Sequence, residues 1–232
     1  MSDNPNILLL ENVTVDETHG YDVGLRDVSL SLNEGDFAIV LLQRSLLNVP
    51  LANIVNGVLF ADAGTATFLG RDWRHTLASR AEMQRGQIGR VFDGPAWISN
   101  LDVDENILLP QRHHTSIPNA QLRADAEALA KSFGLNGLPA TRPSMTPPHD
   151  LRRCACVRAF LGQPTLLLLE RPEHNEYPGL MAPLMANIQA TRQRGGAALW
   201  ITNLTEVFDH PELKPTARYR MEGPLLQHFN TP

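Results

Sequence analysis

TLLLLERPEH, residues 165–174, sets four leucines between Pro164 and a Glu-Arg-Pro turn. An apolar run of that length, without polar alternation, is the pattern of a buried parallel strand. In α/β proteins the chemistry gathers where such strands end, and here the strand delivers Glu170 and Arg171. An acid at that point can hold a metal ion. A guanidinium has no acceptor and does not deprotonate, so the second residue cannot act as a general base. On residue type alone, Glu170 and Arg171 are expected to form a local ion pair beside the turn.

Working outward, "AALWIT" (197–202) reads as a second core strand, with a helix from about 178 to 194 between the two. Upstream, Pro143, Pro147 and Pro148 break the chain before a helix at "LRRCACVRAFLG", for which Asp150 is the expected N-cap. Residues 118–134 carry Leu122, Ala126, Leu129 and Phe133 on one helical face. "IGRVFD" and "GDFAIVLL" are further short strands, "PLANIVNGVL" has helical spacing, and "ADAGTATFLG" returns as a strand. At the start, "ILLLENVTV" and "VGLRDVSLSL" alternate around the turn "THGYD", an antiparallel hairpin. No repeat or linker divides the chain, so one α/β domain is expected.

With 232 residues, 43% hydrophobic and 19% charged, the chain is long enough for a sizeable core. A net charge of −5 argues against a general nucleic-acid binder. The first residues lack the pattern of a secretory signal and no apolar run reaches the ~20 residues of a membrane span, which predicts a cytoplasmic protein. Cys154 and Cys156, two apart on a helix, point apart and are expected to fill core space. His113 and His114 are expected in a solvated loop, since two neighbours do not make a metal site. Arg152 and Arg153 are expected on a solvated helix face.

The segments "LRDVSLSLNEGDFAIVLL", "NGVLFADAG", "IGRVFDGPAWISNLDVDENILLP", "RRCACVRAFLGQPTLLLLERP" and "ITNLTEVFD" occur in the order and spacing of an ABC-transporter ATPase subunit, and nearly the whole chain resembles one. Within that superfamily "ISNLDVDENILLPQRHHT" looks most like the ATPases of MCE/Mla-type lipid transporters. The resemblance implies an ABC ATPase-like α/β fold over 1–232. It would have a P-loop-type parallel sheet core, an N-terminal antiparallel β subdomain and a helical subdomain at about 94–162. It also implies an integral-membrane permease as partner, a second ABC ATPase chain (the same or another) as dimer mate, and a place on the inner face of the cell membrane.

The family's chemical motifs are altered at each slot. A phosphate loop needs glycines that let backbone N–H groups converge, a lysine, and a hydroxyl for Mg²⁺. The matching positions hold Leu42 and Leu47 for the glycines, Asn48 for the lysine and Val49 for the hydroxyl. A left-handed leucine costs about 1–2 kcal/mol, so the loop is expected to take another shape, and Pro50 removes one more donor. Arg44 and Ser45 are read as turn residues. Glu170 replaces the metal-binding aspartate, Arg171 the water-polarising glutamate, Asp93 the metal-sensing glutamine, Asn203 the γ-phosphate histidine, and Tyr177 the aspartate of the dimer-contact loop. The signature slot reads Thr146-Pro147-Pro148-His149-Asp150, with two residues lacking N–H groups and an acid where an anion should bind. Tyr21 and His19 both lie near the turn that carries the adenine-stacking aromatic in this family.

The strands between these slots remain good core strands. The expectation is a pseudo-ATPase: a structural or regulatory cassette subunit of a permease, without bound cofactor, for lipid transport. The alternative is a weakly active nucleotide-binding enzyme using Glu170 for Mg²⁺ and Arg44 or Arg171 for the phosphates of ATP. Trp97, Ile98 and Leu101, apolar residues in a Gly/Pro-marked loop, are the candidate permease contacts, Trp97 foremost as an aromatic anchor.

Overall fold

The computed structural model describes residues 6–17, 20–94, 96–173 and 179–229. Along them run β1 (Leu8–Val15), β2 (Leu25–Leu32), β3 (Phe37–Leu42), α1 (Leu51–Val55), β4 (Ala63–Phe68) and β5 (Arg71–Asp72). There follow α2 (Ala78–Arg85), β6 (Ile88–Val91), α3 (Val103–His114), α4 (Asn119–Ser132), α5 (Pro148–Phe160) and β7 (Leu166–Glu170). The chain ends with α6 (Met181–Gln193), β8 (Ala197–Thr202), α7 (Thr205–Phe208), β9 (Ala217–Glu222) and β10 (Leu225–His228).

Two sheets result. The N-terminal hairpin forms, but it belongs to a separate antiparallel sheet of order β2-β1-β4-β5. The larger sheet has the order β10-β9-β3-β8-β7-β6, parallel throughout except for β10 at one edge. The leucine run pairs with β6 on one side and β8 on the other, Leu168 lying opposite both Arg90 and Leu199.

A strand points successive side chains to opposite faces, and the leucine run divides accordingly. Leu166 and Leu168, with Val40, Leu199 and Ile201, face a core shared with the antiparallel sheet and α1. Leu167 and Leu169, with Phe37, Ile39 and Trp200, face a second core closed by α3, α4, α5 and α6. The four leucines show 0% exposure, and each such burial is worth about 1.5–3 kcal/mol. Helix α5 comes so close to β6 that a Cβ on Gly89 would lie 1.8 Å from the Ala159 carbonyl oxygen; only glycine fits there.

Several local expectations change. Helix α1 is five residues long, because the chain reaches Pro50 without helical turns. Asp150 is not the cap of α5: the helix starts at Pro148 with Pro147 as N-cap, and Asp150 lies inside the first turn. A proline pre-set for the first turn starts the helix earlier than an Asp signal does. His113 and His114 form the last turn of α3, not a loop. Cys154 and Cys156 are buried and free, and burial pushes both thiols up to about 12. No helix among the described residues is long and apolar enough to cross a membrane.

Candidate functional site

The carboxyl ends of β3, β6, β7 and β8 meet around a cavity of about 300 Å³, lined among others by Leu47, Asn48, Val49, Asp93, Glu170 and Arg171. Residues 43–50 take the other shape that leucines at the glycine slots require. Neither Leu42 nor Leu47 has a positive φ; Leu42 ends β3 in the core and Leu47 is 58% exposed. The chain turns back at once through Leu46 N–H to Gln43 C=O (2.8 Å). The amides of Leu47 and Asn48 both donate to one carboxylate oxygen, Asp22 Oδ2, at 2.6 and 2.8 Å. Those two bonds hold the Asp22 carboxyl below its ordinary value, Asn48's first, with the Arg171 charge adding to them against a smaller desolvation cost.

Glu170 and Arg171 do not pair with each other. Successive residues at a strand end leave on opposite faces, and each finds a distant partner. Glu170 accepts from Arg90 Nε at 2.6 Å, in a pair whose side chains are 19% and 10% exposed. Arg90 also donates to Asn53 Oδ1 (2.9 Å) and lies 4.4 Å from the Phe92 ring centroid. Arg171 is buried, has φ +43°, and bonds with Asp93 Oδ2 and with the Leu47 carbonyl (2.8 Å). A non-glycine residue in that backbone region carries strain of order 1 kcal/mol and persists where its surroundings over-determine it. Arg152 supplies the determination: it is not on a solvated face but donates to the carbonyls of Phe92 (2.9 Å), Pro172 (3.0 Å), Glu170 (3.4 Å) and Arg171. Arg153 likewise donates to the Gly134 carbonyl at 2.9 Å.

The remaining positions scatter. Arg44 and Asn203 line a different cavity, of about 450 Å³, between the ends of β3, β8 and β9. Pro147, Pro148 and His149 open α5, and His149 Nε2 is 3.5 Å from Asp150 Oδ1. Tyr21 is half-buried, and its hydroxyl accepts from Asn53 Nδ2 at 2.7 Å. Tyr177 and His19 lie outside the described residues. Trp97 is half-buried against the second core with the Arg158 guanidinium 4.5 Å above its ring, Leu101 is half-buried, and Ile98 is 45% exposed. The loop is pinned by Asn106, which accepts from Ile98 N–H (2.8 Å) and donates to the carbonyls of Ile98, Leu101 and Asp102.

One functional-looking acid escaped the sequence reading. Glu173 is buried and accepts from Trp200 Nε1 (2.9 Å) and the Thr202 hydroxyl, and burial raises its carboxyl above the ordinary value against those bonds. The signal was on β8: Trp200 and Thr202, two apart, put two donors on one face of an apolar strand, which demands a buried acceptor.

This architecture is that of an ATP-binding cassette. A dimeric ATP-binding cassette, MJ0796, determined bound to ADP and Pi, superposes with a TM-score of 0.82 over 97% of this chain and 99% of that one, at 18% identity. A nucleotide-free ABC-transporter cassette superposes with a TM-score of 0.70 over 96% and 90%, at 21% identity. In sequence the chain is similar to the intermembrane phospholipid transport system ATP-binding protein MlaF of Haemophilus influenzae, 23% identical over 216 residues, covering 93% of this chain and 80% of that protein. It is 29% identical over 203 residues to the sulfate/thiosulfate import ATP-binding protein CysA of Ralstonia nicotianae, of which it spans 52%. No family model matches the chain.

Proposed function

We propose that this chain is a pseudo-ATPase: an ABC cassette subunit that docks on an integral-membrane permease and pairs with a second cassette chain without hydrolysing ATP. The likeness to MlaF supports a lipid-transport system, and with it a place on the cytoplasmic face of the membrane. The observation that carries the reading is Arg171. Its buried guanidinium bridges Asp93 and the Leu47 carbonyl across the position where a water-polarising carboxylate would stand. A cation without an acceptor cannot polarise a water.

The residues present do not fit Mg·ATP. Val49 has no oxygen for the metal, Glu170 is engaged by Arg90, and the amides of Leu47 and Asn48 already have an acceptor. In a cassette dimer each nucleotide lies between one chain's phosphate loop and the other's signature. An intact partner would therefore leave one defective half in both sites, and the Pro147-Pro148 signature lacks the donors that recognise a γ-phosphate. The alternative, weak nucleotide chemistry with Glu170 on metal and Arg44 or Arg171 on phosphate, has its residues divided between two ion pairs and two cavities.

Titration of the purified chain with Mg·ATP by calorimetry and thermal shift tests this. The expected result is no saturable binding below millimolar concentration and no phosphate release. A micromolar isotherm overturns the reading, since a ligand at 100 times its dissociation constant stabilises by about 2.7 kcal/mol.

A further inference from the structure

Residues 20–22 are tied to the altered phosphate loop by more bonds than a surface turn needs. Asp22 Oδ2 takes the amides of Leu47 and Asn48, Asp22 N–H returns a bond to the Asn48 carbonyl at 2.9 Å, and Asn48 Nδ2 donates to the Gly20 carbonyl. Tyr21 adds the bond from Asn53 Nδ2 at 2.7 Å. The carboxylate is thus an acceptor-only anion seated on two converging backbone donors, with a buried guanidinium, Arg171, whose charge it senses. Asn48 is bonded through its amide, its carbonyl and its side chain, so its replacement of a lysine builds a clasp for the turn and does not merely remove a charge.

We propose that residues 20–22 form an internal ligand: the Asp22 carboxylate occupies the anion-binding amides of the 43–50 loop, and without it that loop takes a small tetrahedral anion of the inorganic phosphate class. This rests on the reading that the site no longer receives Mg·ATP, and it gives the two aligned amides of Leu47 and Asn48 their acceptor within the chain. Two converging N–H groups next to a cation form a nest for an anion, and the anion built into the chain has an effective concentration that free phosphate does not match.

The test compares wild type with Asp22→Ala and Asp22→Asn, the second keeping volume and one acceptor without charge. Melting is followed in potassium phosphate and in potassium chloride of matched ionic strength. The expected result is a lower melting point for both variants and a saturable rise in phosphate over chloride for both, larger for Asp22→Ala than for Asp22→Asn, whose amide oxygen still competes for the two N–H groups, and absent in wild type. Should Asp22→Ala not fold, Asp22→Asn carries the same comparison. Variants as stable as wild type, or destabilised variants that ignore phosphate, overturn the proposal, as does a wild type that responds equally. Mg·ATP binding by wild type would instead overturn the pseudo-ATPase reading, so the two failures are told apart by ligand and by chain.

Discussion

Along β7 four leucines are wholly buried between two cores, and within two further residues the same chain carries Glu170 on Arg90 and Arg171 on Asp93. The body of the sheet is stabilised by apolar area, which is non-directional and spread over many neighbours. Its carboxyl edge is held by a few directional polar partnerships, and removing one member leaves a partly buried polar group without that partner. In a nucleotide-hydrolysing cassette the edge would present unsatisfied groups to a ligand. Here the charges at that edge answer one another, and the two regions should therefore respond to substitution in different ways.

The largest effect is expected in the body. Leu168→Ala should lower unfolding free energy by about 3–5 kcal/mol, read from the urea midpoint, because a fully buried leucine leaves a cavity in a sheet packed on both faces. At the edge, Arg90→Ala should cost about 2–3 kcal/mol, since it leaves the Glu170 carboxylate four-fifths buried and alone. The contrast sharpens in the double variant Arg90→Met with Glu170→Gln, which should recover most of that loss; nothing equivalent restores Leu168. A cost for Arg90→Ala within about 0.5 kcal/mol would mean the edge does not depend on its pairing.

The same division explains what could be read in advance. The leucine run, the "AALWIT" strand and the helix at 118–134 announce themselves through periodicity, which is local, and they appear as β7, β8 and α4. The missing phosphate-loop geometry was also legible, because leucines at glycine slots forbid a backbone shape whatever surrounds them. The pairings were not: Arg90 meets Glu170 across 80 residues, and Arg171 meets Asp93 across 78 and Leu47 across 124. Nothing in "ERP" distinguishes a local ion pair from two distant ones. The C-terminal hairpin β9–β10 was missed for a different reason. β9 (ARYRME) carries charges between its apolar residues and the edge strand β10 (LLQH) is four residues long and largely exposed, patterns that a solvated tail shares.

Trp97 and Ile98 separate packing from docking. Trp97→Ala should lower stability by about 1–2 kcal/mol, because its ring is half-buried under Arg158. Ile98→Asp, on an exposed side chain, should leave stability within about 0.5 kcal/mol. Both should reduce recovery of the proposed permease in co-purification from detergent extracts. If Ile98→Asp recovers as much partner as wild type, the loop is an edge of the core and not a docking surface.

The smallest effect has the clearest sign. Glu173 belongs to the edge by sequence and to the body by burial, and burial raises its carboxyl above the ordinary 4.5 despite the bonds from Thr202 and Trp200. The folded chain therefore keeps this proton at pH values where the unfolded chain has lost it, so the native state binds more protons across that interval. The group's contribution is complete below about 4.5 and is lost as pH rises through the native value. Glutamine at this position can still accept from Trp200 and can donate to the Thr202 oxygen, and it has no charge to desolvate. Glu173→Gln should thus match wild type in acid and exceed it in melting temperature as pH rises towards neutrality. Parallel curves for the two chains would mean that the Glu173 carboxyl ionises as easily inside the fold as outside it, and that Trp200 and Thr202 fully compensate its burial.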